Sequence, residues 1–202
     1  MSKTIIAIIL VAAIGSWIAF RSLGRTRRSS GTSLPPQKNS ADMGRELRRM
    51  MLTTSTEETG VKPTKEFPHV YGMLMDWPIG EQIATVFSSS TGAASLYTTS
   101  TFGIIGGEGH ETVRAAARAF VGASDRYVAD ALPTTEFPYP GGDRVSFYLL
   151  TFDGVRVLDT DLASITSGTS KYADLFGLGQ AVLTELRQVT ERRQSGKRLT
   201  SR

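Results

Sequence analysis

Three kinds of apolar pattern follow one another along this chain. Thr4–Phe20, TIIAIILVAAIGSWIAF, runs 17 residues without a charge and is apolar on every side. Met43–Leu52, MGRELRRMML, gathers Met43, Leu47, Met50 and Met51 on one side and Arg45, Arg48 and Arg49 on the other, as an amphipathic helix would. From about residue 66 the period shortens to two. His69–Trp77, HVYGMLMDW, has an apolar run of strand length, which Pro78 is expected to halt. Gln82–Ser89 and Ala94–Thr101 are rich in β-branched and aromatic residues, and Thr91-Gly92 between them predicts a tight hairpin. Arg144–Phe152 alternates, with Val145, Phe147 and Leu149 on one face. Asp153-Gly154 then leads into Val155–Leu158, and an Asp-Gly pair between alternating strands is a strong hairpin signal.

Between the strand groups lies His110–Leu132. Val113, Ala116, Ala117, Phe120, Val121, Val128 and Ala131 form one stripe there, and Arg114, Arg118, Asp125 and Arg126 avoid it. This is the pattern of an amphipathic helix of about six turns. Leu175, Val182, Leu186 and Val189 mark a last helix running to about Arg193, with Gly177 and Gly179 weakening its first turns. The order β-β-β-α-β-β-α predicts an α+β domain: one mainly antiparallel sheet of about five strands, with helices covering one face.

The uncharged segment changes the picture of the whole. As a helix, residues 4–20 would span roughly 25 Å, the lower edge for crossing a bilayer. Trp17 stands near one end, where an interfacial aromatic belongs. A cleaved signal peptide would need a shorter apolar run and a small-x-small site. Ala13 and Gly15 make a poor one, and Trp17–Phe20 continue the apolar run past it. A buried core helix fits poorly with a segment apolar on all sides. The expectation is therefore an uncleaved single-pass anchor contacting the lipid bilayer through Thr4 to Phe20. Arg21, Arg25, Arg27 and Arg28 follow it and would meet anionic lipid head groups. Only Lys3 and the α-amino group precede the span, so the positive-inside rule places the rest of the chain on the cytoplasmic side. The alternative is export after cleavage.

The expected organisation is a tail (1–3), the anchor (4–20), a basic juxtamembrane arm and linker (21–65) with a short helix near 43–52, the α+β domain (66–191) and a basic tail (192–202). Residues 29–41 and 53–65 have the small, polar, proline-containing composition of linkers. The short helix either lies on the membrane surface and prolongs the anchor, or is solvated or docked on the domain.

The net charge of +4 invites a nucleic-acid partner, but its distribution argues against one. Residues 1–65 carry +7, residues 66–191 carry −8 from seven Lys/Arg against fifteen Asp/Glu, and residues 192–202 carry +5. A phosphate-binding face on the domain needs the opposite balance. The absence of cysteine excludes disulfides, thiolate catalysis and cysteine-ligated zinc.

Candidate chemistry is sparse. TFGIIGGEGHE places Gly103, Gly106, Gly107 and Gly109 before the long helix, where a phosphate cradle would sit. The P-loop spacing is absent, and Glu108 and Glu111 already put negative charge at the positive end of the helix. A tight strand-to-helix junction is expected instead. His110 with Glu108 and Glu111 reads as the surface start of a helix, and His69 is the one other histidine. Asp153, Asp159 and Asp161 lack the spacing of a calcium loop and read as turn and capping residues. The hydroxyls of Ser88–Thr91 and Thr98–Thr101 stand in no nucleophile elbow. No residue is assigned as catalytic, cofactor-binding or metal-binding, and no cofactor is expected. The reading is a membrane-anchored protein-interaction or scaffold domain with an unidentified protein partner, engaged through a sheet edge or helix face. A small-ligand module, with a pocket between the glycine loop and the sheet, is the alternative, and an enzyme without a recognisable motif is a third.

Overall fold

A computed structural model describes residues 40–100 and 103–200. The helices are α1 (Ser40–Thr53), α2 (Thr56–Thr59), α3 (Glu111–Ser124), α4 (Leu162–Thr166) and α5 (Ala173–Thr200), with a 3-10 turn at Asp125–Tyr127. The strands are β1 (Val70–Ile79), β2 (Gln82–Ser89), β3 (Ala94–Thr98), β4 (Ile104–Ile105), β5 (Leu132–Pro133), β6 (Arg144–Thr151) and β7 (Gly154–Asp161). They make one seven-stranded antiparallel sheet in the order β4-β3-β2-β1-β6-β7-β5.

The α+β class and the antiparallel sheet match the periodicity. The count of strands does not: β4 and β5 are two residues each, too short to leave a period. Pro78 does not halt β1, which pairs with β2 as far as Ile79. Pairing with β6 ends at Asp76, so Pro78 has a single neighbouring strand, a position where a missing N–H is tolerated. The long helix is shorter than its stripe implies. α3 stops at Ser124, and Val128 and Ala131 pack from the turn that follows.

The sheet is covered on both faces, not one. Met73, Met75 and Trp77 of β1, Ala84 and Val86 of β2, and Val145, Phe147 and Leu149 of β6 form the inner face. They pack against Val113, Ala117, Phe120 and Val121 of α3 and Leu175, Val182, Leu186 and Val189 of α5. Both sets of helix positions follow the three-to-four spacing of one apolar stripe. The outer face holds a smaller cluster of Tyr71, Leu74, Tyr148 and Leu150, closed by Leu52 of α1. Burial from both sides explains why HVYGMLMDW reads as a nearly continuous apolar run: every residue from Val70 to Trp77 is buried. The register shifts at Tyr71, which sets Tyr71 and Leu74 outward and Val70 and Met73 inward.

The short helix near 43–52 is the docked alternative. α1 turns Gly44, Leu47, Arg48 and Leu52 inward, the i, i+3, i+4 stripe of one face. Arg48 is thus on the buried side and not with Arg45 and Arg49, for a reason that lies on β1. The proposed anchor at 4–20 and the arm at 21–39 lie outside the described residues. Among the described residues, no helix is long and apolar enough to cross a membrane.

Candidate functional site

A polar line crosses the outer face of the sheet. Tyr97, Thr85, Asp76, Ser146 and Asp159 are successive cross-strand partners on β3, β2, β1, β6 and β7. The neighbouring line, Ser95, Phe87, Leu74, Tyr148, Val157 and Leu132, is mostly apolar. Asp76 is fully buried and requires a partner, since an isolated carboxylate inside a fold costs several kcal/mol, of order 3–5 when its partner is removed. Arg48 provides it from α1. Its Nε and Nη2 donate to Asp76 Oδ2 at 3.0 and 2.5 Å, and the Thr85 hydroxyl donates to Oδ1 at 2.5 Å.

Arg48 also fixes a loop. Its Nη1 donates to the Phe137 carbonyl at 2.9 Å and its Nη2 to the Pro138 carbonyl at 3.3 Å. The guanidinium lies 4.2 Å from the Tyr139 ring centre and 5.3 Å from that of Tyr148. The Tyr148 hydroxyl donates to the Pro138 carbonyl at 2.6 Å, and Phe137 meets the Tyr148 ring edge-on at 5.9 Å. One side chain therefore joins α1, the centre of the sheet and TTEFPYPGGD, the segment between β5 and β6. Burial raises the Asp76 carboxyl, and the facing guanidinium and the Thr85 hydroxyl oppose that rise. Burial likewise works against the Arg48 charge, but Asp76 outweighs it and the guanidinium is raised. Arginine keeps its proton under all ordinary conditions, so Asp76 always faces a cation.

Burial pushes the Tyr148 phenol from 10.0 up to about 12, with Arg48 opposing. The folded protein keeps this proton to about pH 12, whereas the unfolded chain releases it near pH 10. The stability it contributes is complete below pH 10 and is lost as the pH rises to about 12. Urea denaturation at stepped alkaline pH is expected to show this decline, and Tyr148→Phe to make it shallower, the rest coming from Tyr71, Tyr97 and Tyr139, which burial also raises.

The loop and the sheet enclose a groove of about 290 Å³. Ser146, Tyr148, Val157 and Asp159 form its floor, and Pro138, Tyr139 and Pro140 form one wall. The Thr134 amide donates to the Val155 carbonyl at 2.9 Å and anchors the start of the wall. Ser146 donates to Asp159 at 2.5 Å, and Arg144 at the rim is paired with Asp161 at 3.2 Å. A shallower hollow of about 670 Å³ runs along α3. Its charges are already matched as Glu111–Arg114 and Glu66–Arg118, and the rest of its lining is alanine and glycine.

The residues singled out in the sequence do not converge. The glycine stretch is a close-packed junction. A Cβ on Gly103 would lie 1.7 Å from the Leu96 carbonyl oxygen, and one on Gly107 2.1 Å from a Val113 methyl. His110 starts α3 and lies 2.8 Å from Arg193, whereas His69 pairs with Asp125 at 3.1 Å just past the other end of that helix. Asp161 precedes α4 without a side-chain cap, and Asp153 lies in the β6–β7 turn, at the far end of β7 from Asp159. Among the described residues, no group of three or more His, Asp or Glu could hold a metal ion. Arg48, Asp76, Thr85 and Tyr139, which organise the groove, are the residues that sequence reasoning passed over. No protein-family model, curated protein or solved structure shows significant similarity to the chain.

Proposed function

We propose that this chain is a non-enzymatic protein-interaction module tethered to a membrane, and that the groove beside Tyr139 receives its partner. The supporting observation is the wall of that groove: a proline-rich segment carrying Tyr139, fixed from beneath by a buried arginine. Such a wall is rigid before binding, which lowers the ordering cost of association. The sheet edges are poorer candidates. β4 and β5 are two-residue strands, and Pro133 cannot donate to an added strand. A volume of about 290 Å³ is at the floor of the range for small-molecule sites and suits the side chains of a docked peptide better than a metabolite. The uncharged residues 4–20 and the arginines that follow them supply the tether, with anionic lipid head groups as their contact and the domain on the cytoplasmic side.

The chain has no cysteine, so Val157→Cys introduces a unique labelling position on the groove floor. A photo-activated cross-linker there is expected to trap a discrete protein adduct in membranes, and the same label at Glu108 to trap none. Absence of a position-specific adduct refutes the interaction role. Fractionation checks the tether: the full chain is expected with membranes, and a chain lacking residues 4–20 in the soluble fraction.

A further inference from the structure

Resting on that reading, we infer that the segment the groove accepts is an extended peptide that inserts an arginine or lysine side chain. Glu136 and Asp159 both line the groove, and neither has a cationic partner among the described residues. Arg144, the cation among the residues lining the groove, is committed to Asp161, and Arg48 beneath the wall to Asp76. Asp76, Glu66, Glu111, Asp125 and Asp130 each face an arginine, lysine or histidine, whereas Glu81 and Glu108, like the groove pair, face none among the described residues. What distinguishes Glu136 and Asp159 is that they line one groove beside an apolar wall. Ser146 occupies one Asp159 oxygen and leaves the other for a donor. The wall suits the rest of such a side chain. Pro138, Pro140 and the Tyr139 ring offer flat apolar surface to an aliphatic stem, and Tyr139 already receives the guanidinium of Arg48. The described residues 40–200 carry 16 Lys/Arg against 19 Asp/Glu, a net −3 that favours a basic segment over an acidic one.

The test uses the full chain in detergent micelles and two labelled probes: a short peptide of alternating proline and arginine, and its proline–glutamate counterpart. The arginine peptide is expected to bind, to weaken with salt and to compete with adduct formation at position 157. Glu136→Gln/Asp159→Asn is expected to weaken it by about tenfold or more, while Glu81→Gln/Glu108→Gln, an equal charge change elsewhere, leaves it unchanged. Both groove substitutions are at exposed positions, so an unchanged melting temperature shows that folding is not the cause. Equal loss in the two double variants would reduce the effect to overall charge and overturn the inference. If the position-157 adduct forms but the arginine peptide neither binds nor competes, the interaction role stands and the basic partner is refuted.

Discussion

Arg48→Met is expected to lower the free energy of unfolding by about 3–5 kcal/mol, the cost of leaving a buried carboxylate without its counter-ion. Asp76→Leu alone strands the guanidinium and is expected to cost a similar amount. The two together should cost far less than either single change, because replacing a buried pair by apolar side chains of similar volume is often nearly neutral. A denaturant double-mutant cycle measures this, and the coupling should be large since the groups touch at 2.5 Å. The Arg48→Met penalty should also shrink in acid. Without its partner Asp76 is raised further, so the folded protein takes up a proton before the unfolded chain does, and the loss grows as the pH rises past the ordinary carboxylate range. If the cycle shows additive effects, the pair is not what holds α1. The double variant separates stability from function: it should fold, yet loosen Phe137 and Pro138, which keep only their contacts with Tyr148, and weaken whatever the groove binds.

Gly103→Ala should cost about 3 kcal/mol, the upper end of what overpacking exacts. The added methyl would stand 1.7 Å from the Leu96 carbonyl oxygen and 2.5 Å from its carbon. Backbone cannot step aside as a flexible side chain can, so relief requires parting β3 from β4. Gly109→Ala, in the same stretch, meets nothing within 4 Å and is expected to change stability by less than about 0.5 kcal/mol. Thermal unfolding of the two variants side by side checks the contrast. A phosphate-cradle role would make both glycines matter for ligand binding, whereas a packing junction makes only the crowded one matter for stability.

Where the chain's periodicity was strong, it located the elements well. Gln82–Ser89 is β2 to the residue, and the α3 and α5 stripes name their own buried positions. The two-residue strands β4 and β5 carry no period and stayed hidden. The groove was hidden for another reason. Its lining falls between Thr134 and Asp159, but the side chain that fixes its wall, Arg48, stands 28 positions from Asp76 and 89 to 90 from Phe137 and Pro138, so no local window contains that support. One signal was nevertheless present. Asp76 interrupts HVYGMLMDW, and an acid inside a strand buried on both faces demands a cation from elsewhere. The amphipathic reading of 43–52 sorted its arginines by angle alone. Arg48 stands beside Leu47 on the inward stripe and reaches Asp76 from there. Asp159 was seen in the sequence as a turn acid, whereas its role follows from the register that sets it opposite Ser146.

α1 is the first described element, and a mechanical load applied at Ser40 would enter the domain there. Its grip on the sheet consists chiefly of Leu47, Leu52 and the Arg48–Asp76 pair. Under such a pull α1 is expected to peel away before the sheet is strained. Its departure would leave Phe137 and Pro138 to their contacts with Tyr148, so tension at Ser40 and the shape of the groove are linked through the Arg48 guanidinium.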